Sequence, residues 1–106
     1  MPNLLFICSK NQWLSPTAEL LFKNNLRHSA KSAGTSDKAR IKVNQKMIAW
    51  ADIIFVMERK HRKILEHNFS ETLADKPINV LDIEDNYQFN DPELMDILKT
   101  SLQDYL

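Results

Sequence analysis

Two short runs decide what this chain can fold into. Residues 4–8 (Leu-Leu-Phe-Ile-Cys) and 53–57 (Ile-Ile-Phe-Val-Met) are apolar at every position. A strand with one wet face alternates apolar and polar side chains, whereas a strand covered on both faces has no reason to. Two doubly covered strands imply a parallel sheet. Parallel neighbours in turn need crossovers long enough to contain a helix.

The segments around the runs supply those helices. Ser15-Pro16 places an N-cap residue before a proline at the first helical position, where the missing N–H does no harm. Ala18, Leu21, Phe22 and Leu26 give the apolar stripe that follows. A second strand is expected over 30–33, ended by Gly34, the chain's one glycine, and residues 35–43 are polar, basic and read as loop. Asn44 suits the cap of a short helix carrying Met47, Ile48 and Trp50. Residues 58–67 read as a helix with Arg59, Lys60, His61, Arg62 and Lys63 toward solvent and Ile64 and Leu65 inward. Beyond Pro77, residues 78–83 form a fourth strand. Asp91-Pro92 repeats the cap-and-proline signal before Leu94, Ile97, Leu98, Ser101, Leu102 and Tyr105, spaced by threes and fours. This alternation predicts an α/β fold in three layers: a four-stranded parallel sheet with helices on both faces.

Length and composition narrow the setting. At 106 residues the chain is expected to form one domain spanning 1–106, and its 43% hydrophobic content is that of a globular protein. Lys and Arg number 14 against 14 Asp and Glu, a balance that argues against a whole-molecule binder of nucleic acid or acidic membrane and leaves room only for a local patch. A single cysteine forms no internal disulfide, and the apolar run at 4–8 is too short for a signal sequence, so a cytoplasmic location is expected. His28, His61 and His67 lack metal-ligand spacing, and Asp75, Asp82 and Asp85 form no compact metal pattern, so neither metal nor cofactor is expected. The oligomeric state is not legible.

The chemistry concentrates after the first strand. Ligands of doubly wound sheets bind beyond the carboxyl ends of the strands, and the first strand ends at Cys8. Residues 8–15 then lead into a helix N-terminus, an arrangement that converges backbone N–H groups on an anion. A thiolate at the entrance is well placed to use those donors and to attack whatever oxyanion they hold. An inert core cysteine is the competing reading of the same pattern.

Residues 4–19, LLFICSKNQWLSPTAE, resemble the phosphate-binding loop of the low-molecular-weight protein tyrosine phosphatases, in particular short bacterial members. The resemblance continues through Ser32-Ala33-Gly34-Thr35-Ser36, the Ala51-Asp52 approach to the 53–57 strand, and the 82–92 region, covering nearly the whole chain in order. It implies that Cys8 attacks phosphorus to form a cysteinyl-phosphate, that Asn11 holds the loop in shape, and that Ser15 donates its hydroxyl toward the thiolate. It implies further that the backbone of Ser9, Lys10, Asn11, Gln12, Trp13 and Leu14 binds phosphoryl oxygens. Trp13, Tyr87 and Phe89 are candidate pocket walls, each with ordinary packing as the alternative. The general acid is an aspartate: Asp85 first, Asp91 second because Asp91-Pro92 is also a plain helix cap, and Asp82 third. A phosphotyrosine-bearing protein or a small anion is the implied partner, and no metal is required.

One position departs from the pattern. Where the family places an arginine, six residues after the nucleophile, this chain has Leu14. The arginine grips two phosphoryl oxygens with a planar fork and adds charge; leucine does neither. Lys10, Lys38, Arg40 and Lys42 are the cations within reach along the sequence. The expectation is a phosphatase-like protein with weak or absent turnover. The alternative is a non-catalytic phosphopeptide- or anion-binding protein. A lower alternative is arsenate reductase-like chemistry, which here needs an external thiol.

Overall fold

The apolar runs become the two central strands. In the computed structural model, which describes residues 2–84 and 86–104, β1 spans Asn3–Cys8 and β3 spans Ile53–Val56. They pair in parallel with each other, while β2 (Ser29–Gly34) flanks β1 and β4 (Ile78–Val80) flanks β3, giving the order β2-β1-β3-β4. Alternate side chains of β1 serve opposite layers, as strand geometry requires. Leu4, Phe6 and Cys8 join the layer of α1 (Leu14–Leu21) and α5 (Pro92–Leu102). Leu5 and Ile7 join the layer of α2 (Gln45–Trp50), α3 (Arg59–Asn68) and α4 (Ser70–Leu73). The expected three-layer α/β architecture is therefore present, with helices on both faces of an all-parallel sheet.

Packing on the first face centres on Phe6, whose ring stacks against Phe22 at 5.7 Å and Phe55 at 5.3 Å between centroids. Such pairs add about 0.5–1.5 kcal/mol beyond the area they bury. Cys8 and Leu14 belong to this same cluster. The floor of the candidate site is thus continuous with the core.

Several local expectations are corrected. Helix α1 starts at Leu14, with Trp13 in the cap position, so Ser15 lies inside the first turn and does not cap it. Pro16 is still tolerated there, because first-turn N–H groups have no intrahelical acceptor. Leu26 is exposed and outside the helix, since the Asn25 side chain accepts from the N–H groups of Arg27 and His28 and turns the chain early. In α3 the inward pair is His61 and Leu65, while Ile64 sits at the surface. Glu58 sets that phase: it caps α3 and shares a capping box with His61, which fixes the inward face at four-residue spacing. Strand β4 ends at Val80, although Leu81 and Ile83 still donate to Val56 and Met57, and α4 is an added turn of helix. Asn44 and Asp91 cap α2 and α5 as expected. Tyr105, expected in α5, lies outside the described residues.

Candidate active site

The segment between Cys8 and α1 is shaped from outside. Four successive carbonyls of this loop are held by the stretch after β2: Thr35 N–H donates to Cys8 at 3.0 Å and Ser36 N–H to Ser9 at 2.9 Å; Arg40 N–H donates to Lys10 at 2.9 Å and Arg40 Nε–H to Asn11 at 3.0 Å. The C=O and N–H of a trans peptide point in opposite directions, and no peptide bond among the described residues is cis. Pinning these carbonyls outward therefore turns the N–H groups of Ser9, Lys10, Asn11 and Gln12 inward. One of them shows it directly: Asn11 N–H donates to Cys8 Sγ at 3.2 Å.

Gly34 makes this bracing possible. A Cβ at that position would lie 2.4 Å from the Ser9 carbonyl oxygen and 2.7 Å from Ala39 Cβ, closer than real contacts come. Only glycine lets the two loops approach this tightly.

Asn11 is the keystone of the loop's interior. It is fully buried at φ 55°, a left-handed conformation that asparagine accepts more readily than other side-chain-bearing residues. Its Nδ2 donates to Ser15 Oγ at 2.8 Å, and Ser15 Oγ lies 3.0 Å from Cys8 Sγ and 3.4 Å from the Ala33 carbonyl oxygen. Asn11 fills one acceptor site on Ser15, and the single hydroxyl proton has two acceptors in reach, the Ala33 carbonyl oxygen at 3.4 Å and the closer sulfur at 3.0 Å. A thiolate, having no proton of its own, requires it there. Asn11 Oδ1 is buried with no hydrogen-bond partner among the described residues, an arrangement that ordinarily costs about 1–3 kcal/mol.

A second brace comes from α3. His61 is buried; its Nδ1 accepts from Glu58 N–H at 3.1 Å, so in the neutral ring Nε2 carries the proton and donates to Ser9 Oγ at 2.9 Å. This corrects the expectation of a solvent-facing His61. The signal available was Glu58, whose spacing to His61 is that of a capping box.

Above the thiol lies a recess of about 70 Å³ lined by Cys8, Lys10, Gln12 and Trp13. The exposed Trp13 stands at its edge. Leu14 does not line it. At 1% exposure Leu14 turns into the core with Cys8, Ile83 and Leu94.

The remaining candidates are scattered. The Asp91 carboxylate accepts from the N–H groups of Glu93 and Leu94 and so serves as the α5 cap. Asp82, at φ 56°, lines a groove with Glu58, Arg59, Lys60 and Glu84, away from the thiol recess. Asp85 lies outside the described residues. Tyr87 packs on the core under α1 and α5, and Phe89 lines a larger groove with Pro16, Lys23, His28 and Arg40. Of the nearby cations, Lys42 is paired with Asp37, whose carboxyl that hydrogen bond and charge hold below the ordinary value. Lys10 borders the recess, and Arg40 grips the loop's outer side.

No protein-family model and no curated protein matches the chain. Solved structures do. The tyrosine phosphatase Wzb from Escherichia coli, solved in complex with phosphate, superposes with a TM-score of 0.77 at 19% identity over 99% of this chain and 96% of that one. SP-PTP, a low-molecular-weight protein tyrosine phosphatase from Streptococcus pyogenes, gives 0.75 at 20% identity over 100% and 91%. The YwlE arginine phosphatase from Geobacillus stearothermophilus gives 0.69 at 20% identity over 100% and 98%. The fold is that of the low-molecular-weight protein tyrosine phosphatases. At these identities the likeness concerns the fold.

Proposed function

We propose that this chain is a phosphatase-like protein whose 8–15 loop binds a phosphoryl group, with turnover weak or absent. The observation that carries this reading is the set of four outward-pinned carbonyls around Cys8, which leaves their N–H partners converging beside the thiol. Backbone N–H groups arranged this way bind oxyanions without any side-chain charge.

The chemistry follows from the residues in place. Cys8 sulfur attacks phosphorus, an S–P bond forms as the P–O bond to the leaving group breaks, and water later releases phosphate and regenerates the thiol. Ser15 stabilises the thiolate both as nucleophile and as leaving group. The departing oxygen needs a proton, and we assign its donor to Asp85. In sequence it stands two positions after Ile83, beyond the fourth strand, and the Asp91 carboxylate is committed to its helix. What is missing is a fork at position 14 to hold the equatorial oxygens and offset their charge.

That absence favours a reading in which the loop recognises a phosphorylated protein or small anion and rarely turns it over. The test is aryl-phosphate hydrolysis across about pH 5–8, with phosphopeptide binding measured in parallel. Saturable binding with barely detectable hydrolysis is expected. Rapid multiple turnover abolished by Cys8→Ser would contradict the silencing argument, and absence of both activities would remove the phosphoryl site.

A further inference from the structure

We propose that Arg40 is the working cation of the 8–15 loop, a positioning residue that supplies from the outer side the charge absent at position 14. The proposal rests on the phosphoryl-binding reading above and adds a specific residue to it.

Arg40 is 29 positions beyond Asn11 in the chain, yet it holds two adjacent loop carbonyls, Lys10 through its backbone N–H and Asn11 through Nε. These carbonyls belong to the two peptide units whose N–H ends are those of Asn11 and Gln12. The first N–H meets Cys8 Sγ, and Gln12 borders the recess. A guanidinium on a carbonyl oxygen makes a charge-assisted bond and polarises the whole peptide unit, which makes the N–H at its other end a stronger donor. Charge outside the loop therefore reaches the anion through the Asn11–Gln12 peptide. Among the described residues no ion pair joins Arg40 to a carboxylate. Glu19, which shares its groove, accepts from the Ser32 hydroxyl. Lys42 is paired with Asp37, and among the described residues the Lys10 ammonium has no hydrogen-bond or ion-pair partner.

The test uses the full chain with inorganic phosphate as the probe. Phosphate affinity is read from protection of Cys8 against iodoacetamide, and the local charge from the ratio of alkylation rates with iodoacetate and iodoacetamide at low and high salt. Arg40→Gln is expected to weaken phosphate binding about tenfold and to lower the iodoacetate-to-iodoacetamide ratio at low salt. Arg40→Lys restores most of that ratio, and Lys10→Gln changes both readouts less than Arg40→Gln does. A purely structural brace would alter affinity without a salt-dependent change in the ratio. In the parent protein, the Arg40 Nε–H resonance is expected to shift on phosphate addition with the same midpoint as the loop amides, a readout that needs no variant to fold. An Arg40→Gln protein that binds phosphate like its parent, or an Arg40 Nε–H that ignores phosphate, overturns the role of Arg40 while leaving the anion site standing. A parent that binds no phosphate overturns both.

Discussion

Arginine in place of Leu14 is expected to raise Cys8-dependent aryl-phosphate turnover by about 10³–10⁵, the range associated with a phosphoryl-transfer arginine. The loop it would join is already formed: its carbonyls are pinned outward, Asn11 holds the left-handed turn, and Ser15 reaches the thiol. What the substitution adds is a planar fork and a charge in direct reach of the phosphoryl oxygens. It also has a structural cost. Leu14 is buried with Cys8, Ile83 and Leu94, so withdrawing it from the core removes on the order of 2 kcal/mol, less whatever the arginine methylenes recover. A melting temperature lower by on the order of 10 °C should accompany the gain in rate. Initial rates with an aryl phosphate, measured beside Leu14→Arg/Cys8→Ser, check the first claim, and thermal unfolding checks the second. In the same background Asp91→Asn should keep both turnover and the α5 cap, because the amide oxygen still accepts from Glu93 and Leu94. A folded Leu14→Arg protein without turnover would show that more than the arginine is missing.

Asn11→Ala is expected to be the most damaging single change to the loop. Alanine at φ 55° meets a strain of about 1–2 kcal/mol. Loss of the Nδ2 bond to Ser15 adds roughly 1 kcal/mol more. Together these predict a destabilisation of up to about 2–3 kcal/mol by denaturant unfolding, less what removal of the unsatisfied Asn11 Oδ1 returns, with phosphate binding abolished because the Asn11 and Gln12 N–H groups lose their direction. Asn11→Gly separates the two contributions. It should recover the strain term and leave the Ser15 hydroxyl unanchored, so stability returns in part while binding does not. Equal stability of all three proteins would remove Asn11 from its structural role.

Much of the architecture was legible because it depends on composition over short windows. The runs at 4–8 and 53–57 carry the pattern expected of doubly covered strands, and Asn44 and Asp91 announced their helices through side-chain capping that needs no tertiary context. Phase was harder. Ser15 carried a cap's chemistry but was drawn into the thiol network, and the helix began one residue before it. His61 looked like part of a basic surface until the capping box with Glu58 rotated it inward. Cys8, Asn11 and Ser15, which the structure brings into contact, stand in one contiguous stretch of sequence. In the sequence Arg40 is only a nearby cation, since nothing local says that residues 35–40 lie across the loop. That juxtaposition is created by the parallel pairing of Cys8 with Gly34 and the absence of a Cβ there.

In the proposed function, the N–H groups of residues 9–12 form an anion site around the Cys8 thiol. The most direct measurement is a titration of the isotope-labelled chain with inorganic phosphate, following backbone amide resonances. Saturable shifts concentrated at Ser9, Lys10, Asn11 and Gln12 are expected, with phosphate protecting Cys8 from alkylation over the same range. Amides of that loop that stay unmoved while phosphate reaches saturating excess, or shifts that spread instead over the basic surface of α3, would contradict it.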